Sequence, residues 1–394
     1  MLVFGFILLG FFMLGLDNLI IAILSFLMAR QLLANLSDFA TDGVRLTKNR
    51  QLINALVFHD QPYGKRERTT AQRFRQLFAR QAREQRAQGV AARVLVQPCE
   101  QVAVDWVDDS GGVSRQFGWT LETAAGDTVK LSEHVFTFTR SSFLEHETYL
   151  FENMGPDILR AAKPVYRYAV EDFQCQLYAV PDGKPASATW PRKHWGSLFG
   201  YYWSLEPPAR LQQAYRRAKP VLPDRVTDEL IGRLAVGANG ARDDDRLHAL
   251  REALPRIVAH LRRIPLFVFN PNLKARNVHV AEDGETFRVL RWHRWVLEPI
   301  GAGVSLDRVE HDALEEALQG ARERADWPPG IGSHSIMLVA AVWKLEELIG
   351  DEQYQSAFRL VPRVLMLLKK AVDENGSETG SGTDQRDSLE RANA

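Results

Sequence analysis

The chain has 394 residues, of which 45% are hydrophobic and 25% charged, and its 49 basic residues are balanced by 49 acidic ones. That length can bury the core of two domains or of one two-lobed domain, and a formal net charge of zero gives no global field for a nucleic-acid partner. Cys99 and Cys175 are the only cysteines, which excludes a disulfide framework and a cysteine-based metal cluster.

The segment from Met1 to Ala29 is almost wholly apolar, with Asp17, Asn18 and Ser25 as its clearly polar residues. A spanning helix needs about 20 such residues. No Lys or Arg precedes the run, whereas Arg30, Arg45, Lys48, Arg50, Lys65, Arg66 and Arg68 follow it. Because positive charge stays on the cytoplasmic side, the pattern predicts an uncleaved single-pass anchor over 1–29 with the main domain in the cytoplasm. A re-entrant hairpin around Gly15 and Asn18 and a buried soluble helix are the alternatives. Residues 30–93 read as a basic juxtamembrane region. Within it Thr69 to Gln88 predicts a helix carrying Arg73, Arg75, Arg80, Arg83 and Arg86, with Phe74, Leu77 and Phe78 on one face. Such a helix suits anionic lipid headgroups or packing on the domain that follows.

From Val94 the pattern turns to β. Val102 to Val107, Arg115 to Glu122 and Thr128 to Leu131 are three strands separated by turns at Asp108–Gly112 and Ala125–Asp127. A helix is predicted from Ser142 to Met154, with Glu147 on the side that carries Leu150, Phe151 and Met154. Two further strands, Pro164 to Asp172 and Gln174 to Val180, lead to the Pro/Gly connector Pro181–Pro185. Beyond it the chain is helical. An aromatic run (Trp190, Trp195, Phe199, Tyr201, Tyr202, Trp203) suits either a binding surface or core. Arg242 to Arg263 is a long amphipathic helix with Leu247, Leu250, Leu254, Ile257, Val258 and Leu261 at helical spacing. After the loop described next come an amphipathic helix from Leu306 to Arg324 and two apolar helices, Ser333 to Ile349 and Asp351 to Val372. Residues 374–394 have the composition of a disordered tail.

The long helix delivers the chain to a short strand, Leu266 to Phe269. A polar loop follows, Asn270-Pro-Asn-Leu-Lys-Ala-Arg-Asn277, then a strand, Val278 to Val280, the turn Asp283-Gly284 and a third apolar run ending Val289-Leu-Arg-Trp292. The loop resembles the catalytic loop of the protein-kinase-like superfamily, and most nearly its bacterial small-molecule branch of aminoglycoside phosphotransferases and lipopolysaccharide core kinases. The Leu273-Lys274 pair and Asn277 match. Asn272 stands where the family has its catalytic aspartate, and Arg291 where it has its metal-binding aspartate.

The resemblance spans roughly 94–371 in element order and implies an α+β, two-lobed protein-kinase-like fold behind the N-terminal membrane helix. The small antiparallel β lobe would occupy 94–181 and the large helical lobe 182–373. It implies catalytic-loop roles at Asn272 and Lys274, and nucleotide binding through Lys130, Glu147, Asn277 and Arg291. The loop from Asp109 to Ser114 would cover the nucleotide. Taken singly, by sequence context alone, Lys130 and Glu147 read more readily as solvated surface charges. ATP is the implied cofactor. Mg2+ fits poorly, since Asn272 cannot take up a proton and Arg291 would repel the metal. The resemblance also implies a link to cell-envelope glycan or lipid chemistry at a bacterial inner membrane, with the membrane, an envelope-biogenesis protein or a glycolipid as partner. Two functions follow. One is a pseudokinase that binds or regulates. The other is an atypical phosphotransferase whose metal is held by Asn277 and a displaced carboxylate, Glu298 or Asp283.

Overall fold

The computed structural model describes residues 70–95, 99–108, 114–307 and 309–391, together with helical positions 28, 30–32, 34–35 and 38–39. Apart from Met28, the expected anchor lies outside the described residues, as do positions 109–113 of the loop expected over the nucleotide. Among the described residues no helix is long and apolar enough to cross a membrane. The chain divides after Arg75, and the second unit, Gln76–Ala394, holds both lobes.

The small lobe is one antiparallel sheet of β1 (Cys99–Asp108), β2 (Arg115–Thr123), β3 (Thr128–Thr137), β4 (Pro164–Val170) and β5 (Phe173–Ala179), ordered β1-β2-β3-β5-β4. The β2–β3 turn closes through the Thr123 Oγ1, which accepts from the Asp127 N–H at 3.2 Å. β3 runs past Leu131 to Thr137, because β5 pairs with it from Leu131–Ala179 to Thr137–Phe173. Side chains alternate along it. Glu133 points to the outer face, where it accepts from the Trp119 indole at 3.0 Å. Ser132 and its neighbour two along, His134, lie on the inner face, which also carries Gln116 of β2.

Two helices, α1 (Thr70–Leu77) and α2 (Arg80–Val94), precede the sheet. α2 packs on β1, burying Ala87, Val90 and Ala91. Of the two alternatives for this basic helix, lipid headgroups or packing on the domain, two of its arginines are turned onto the domain. Arg83 donates to the Val104 carbonyl at 2.9 Å. Arg86 donates to the Leu77 carbonyl at 2.7 Å, reaches Glu133 at 3.5 Å and lies 4.2 Å from the Phe78 ring centroid. Glu133, wholly buried, needs a cation, and that need turns the helix toward the sheet. Helix α2 thus packs on the sheet that follows it.

On the other side of the sheet, α3 (Ser141–Met154) packs against β3 and β5. The connector to the large lobe forms β6 (Lys184–Pro185), paired with β8 (Val278–Val280), which in turn pairs with β9 (Phe287–Val289). Gly183 has φ +101°, and a Cβ there would lie 2.1 Å from the Val280 carbonyl oxygen, so this crossing requires glycine. The aromatic run becomes core: Trp203, Tyr202, Trp190 and Phe199 are all buried. Its helix α4 (Trp195–Ser204) lies against α8 (His311–Arg322), with Gly200 and Gly320 at the crossing. Between these two come α5 (Ala209–Ala218), α6 (Asp228–Ala235) and α7 (Ala241–Arg263), which brings the chain to the loop.

Helices α9 (Ser333–Gly350) and α10 (Tyr354–Arg391) close the lobe. α10 carries Pro362 in its interior and continues as helical backbone to Arg391, across the stretch expected to be disordered. Its first residue of that stretch has a structural task. The Glu374 carboxylate accepts from the N–H groups of His334 (3.0 Å) and Ser335 (3.2 Å) and from the His334 Nδ1 at 2.6 Å. It thus satisfies donors left open at the start of α9 and complements the helix dipole. Glu374→Ala is expected to lower stability by about 1 kcal/mol, read as an earlier midpoint in urea unfolding, and an unchanged midpoint would contradict this capping role.

Candidate functional site

Strand β7 (Leu266–Phe269) is buried along its whole length and pairs with β10 (Val296–Pro299), a strand too short for its pattern to stand out in the sequence. The loop that leaves β7 is held by amides. Asn270 Oδ1 accepts from the Asn272 N–H at 2.9 Å, while Asn270 Nδ2 donates to the Arg291 carbonyl at 2.7 Å. Asn277 Nδ2 donates to the Asn272 carbonyl at 2.7 Å, and the Asn277 carbonyl accepts from the Leu290 N–H at 2.8 Å. Positions 272 and 291 are therefore tied into one substructure. Asn270, which the sequence did not mark, bridges them. Asn272 is half-buried, and Lys274 is exposed.

The Arg291 side chain is 3% exposed and reaches across to the small lobe, where its Nη2 donates to Gln116 Oε1. Gln116 Nε2 donates in turn to Ser132 Oγ at 2.8 Å. Beside this contact lie His134, opposite Gln116 in the β2–β3 register, and His293. Both are held neutral. Burial and then the Arg291 charge push His134 well below the usual imidazole range, and the same causes in the same order bring His293 to about 3. Both ring nitrogens of His134, Nδ1 of His293, the Trp292 indole nitrogen and Asn277 Oδ1 are buried without a hydrogen-bond partner. Gln116 and His134 have no sequence signal as site residues, because the contact with Arg291 forms only when β2 and β3 meet the run after β9.

The structure does not bring Lys130 and Glu147 together. Lys130 is exposed at the open end of β3. Glu147 is 2% exposed; its Oε1 accepts from the Trp292 N–H at 2.7 Å and its Oε2 from the Tyr178 hydroxyl. His134, further along the inner face of β3, lies tilted against Tyr178 at 4.8 Å between ring centroids and occupies the side of the strand nearest this pair. Burial raises the Glu147 carboxyl to about 7, against two hydrogen bonds that lower it. Glu147 thus joins α3 to the backbone after β9 instead of fixing a strand lysine. The preceding residue reinforces the join: the His146 ring lies flat on Trp295 at 4.2 Å, and the Trp295 indole donates to the His146 carbonyl at 2.9 Å.

The two displaced carboxylates have other partners. Asp283 accepts from the Thr286 hydroxyl (2.5 Å) and from the N–H groups of Thr286 (2.8 Å) and Glu285 (2.9 Å), which defines the hairpin turn and holds its carboxyl below the usual range. Glu298 is buried and accepts from Arg225 at 2.8 Å and from the Leu222 N–H at 2.8 Å. Among the described residues no group of three or more His, Cys, Asp or Glu is placed to hold a metal. The loop offers amide oxygens and a guanidinium where Mg2+ requires carboxylates, so its donor set does not fit that ion.

No family model matches the chain, and no curated protein does. Solved structures similar to it include the macrolide 2'-phosphotransferase MphH of Brachybacterium faecium, at 16% identity and a TM-score of 0.45, covering 72% of this chain and 97% of that one. They also include the choline kinase LicA of Streptococcus pneumoniae, at 11% identity and a TM-score of 0.42, covering 75% of this chain and 99% of that one. A choline kinase of Cryptosporidium parvum is similar at 10% identity and a TM-score of 0.43, covering 76% of this chain and 97% of that one.

Proposed function

We propose that this chain is a pseudokinase-like binding and regulatory module that transfers no phosphate, tethered by its apolar N-terminal segment to a bacterial inner membrane and serving cell-envelope glycan or lipid processes. The observation that carries the first part is Arg291. Phosphoryl transfer needs Mg2+ across the nucleotide phosphates and a group that orients the attacking oxygen. At the metal position stands a guanidinium, turned into the inter-lobe contact with Gln116. At the position of the orienting carboxylate stands the neutral amide of Asn272. The exposed Lys130 and the buried, separately bonded Glu147 also leave unformed the ion pair that an active kinase uses to fix the phosphates.

The tether and the cytoplasmic side rest on the apolar run 1–29 and the basic residues after it. The envelope role rests on the loop resemblance together with that tether. A partner protein or a glycolipid headgroup at the membrane is the occupant such a module would hold.

Melting curves of the protein with ATP test the inert reading. Ligand at about 100 times its dissociation constant adds about 2.7 kcal/mol to the folded state, enough to move a melting temperature. Equal melting temperatures in Mg2+ and in EDTA are expected. An upward shift that appears only with Mg2+ would overturn the reading, since it would require a metal site beside Arg291.

A further inference from the structure

We propose that a cleft in the large lobe, away from the kinase-like loop, binds a small zwitterion that carries a carboxylate at one end and an ammonium group at the other. The cleft measures about 720 Å3 and is lined from α4, α8, the turn of the β8–β9 hairpin and Arg160. That turn is at the far end of the hairpin from the loop, and neither residues 270–277 nor Arg291 line the cleft. The inference therefore stands apart from the inert reading of the loop.

Arg160 marks the end for the anion. It lies in the link between α3 and β4 with φ +47°, a left-handed conformation that a residue with a side chain rarely adopts. The backbone is pinned there, because the Arg160 carbonyl accepts from the Val289 N–H at 2.7 Å. The guanidinium rests 3.8 Å from the Tyr201 ring centroid and 4.7 Å from that of Phe287. The Tyr201 hydroxyl donates to the Ile158 carbonyl at 2.6 Å, which fixes the ring against which Arg160 lies. Aromatic rings take the flat face of a guanidinium and leave its N–H edge open. Among the described residues no acceptor pairs with that edge. A carboxylate matches it with two parallel hydrogen bonds. Lys193, at the end of the short helix Trp190–Lys193, brings a second unpaired cation to the same cleft.

The cation end is formed by carboxylates. Glu316 comes from α8, Glu323 from the residue that follows it, and Glu285 from the hairpin turn. Gly196 makes room for Glu316, since a Cβ there would collide with its Oε2. None of the three has an ion pair or a side-chain hydrogen bond among the described residues. Opposite charges in one cleft pair when they can reach each other. Here the elements hold them apart, and the space between them is room for a ligand. A simple anion would meet three carboxylates, and a simple cation would meet Arg160 and Lys193. A molecule with both charges gains at each end, with its carboxylate on the Arg160 edge and its ammonium among the glutamates.

Isothermal titration of the full chain at low salt tests the inference, with glycine, γ-aminobutyrate and 6-aminohexanoate as separate titrants that span a range of charge separation. Saturable binding of at least one is expected, at least tenfold tighter than the amine or the carboxylate of the same chain length alone. Arg160→Met is expected to abolish it. Lys193→Met and Glu323→Gln change exposed side chains and leave the fold intact, so they carry the test if Arg160→Met does not fold. Each is expected to weaken binding about tenfold, the value of one hydrogen bond to a charged group. No saturable binding of any of the three zwitterions would overturn the inference. Equal binding of the matched amine or carboxylate would overturn it too, as would binding undiminished in both Lys193→Met and Glu323→Gln.

Discussion

Replacing Trp295 by alanine is expected to cost about 3–5 kcal/mol and to release helix α3 from the large lobe. Trp295 is 1% exposed and makes three kinds of contact with one short stretch of α3. Its indole ring is stacked on His146 at 4.2 Å with an interplanar angle of 5°. Its indole N–H donates to the His146 carbonyl at 2.9 Å, and its own carbonyl accepts from His146 Nε2 at 2.9 Å. Its far side meets Tyr215, 5.3 Å between ring centroids. Truncation leaves a cavity the size of an indole and removes the ring stack and the indole bond from the inter-lobe join, while the bond to the backbone carbonyl of residue 295 and the Glu147–Trp292 bond remain. Denaturant unfolding gives the stability change, and amide hydrogen exchange over 141–154 gives the release. A loss below about 1 kcal/mol with unchanged exchange would show that α3 is held elsewhere.

The second large effect is a pH dependence centred on Glu147. Its carboxyl titrates near 7 in the folded protein against 4.5 when exposed, because burial disfavours the charged form. Below the exposed value the group is protonated in both states and imposes no penalty. As pH rises from about 4.5 to about 7 the unfolded state releases the proton first, so stability falls through that window and then levels. The gap between the two values corresponds to about 3 kcal/mol at most. His134, His146 and His293 have the opposite sign, since their lowered values make the folded state gain stability as pH rises toward 6.5. The two trends overlap, which makes the raw profile of the wild type uninformative. The difference between Glu147→Gln and wild type removes the histidine contribution. Glutamine keeps an oxygen for the Trp292 N–H and an amide for the Tyr178 hydroxyl, so the variant is expected to gain on wild type by up to about 3 kcal/mol between pH 4.5 and 7. A difference that stays flat over this range would mean that Glu147 is ionised throughout.

Much of the scaffold was legible in the residues. The strand, polar loop and hairpin around 266–292 follow from alternation and from the Asp283-Gly284 turn, both short-range signals that the structure keeps. The helix carrying Glu147 and the long helix before the loop were equally clear from their apolar spacing. What sequence reasoning missed is the pairing across the fold. Arg291 and Gln116 are 175 residues apart, and neither type announces the other. Lys130 was matched to Glu147 by element order alone. Which residue of β3 comes near the helix depends on how far along the strand the helix packs, and that point falls at His134, not at Lys130. The sequence leaves the two alternatives for the α2 arginines open for a related reason. The demand for them comes from Glu133, a buried carboxylate on a strand whose own pattern does not mark that position as buried.

Among the candidate residues, Asn277 and Arg291 are bonded into the one loop substructure around Asn270, and the chemistry they offer is amide and guanidinium, not carboxylate. That substitution is the centre of the account, and transfer of the γ-phosphoryl group from labelled ATP tests it most directly. The wild-type chain, with Mg2+ and a panel of sugar, lipid and protein acceptors, is expected to transfer and hydrolyse no more than a control without protein. Mg2+-dependent turnover in the ordinary kinase range, about 1–100 s⁻¹, would contradict it.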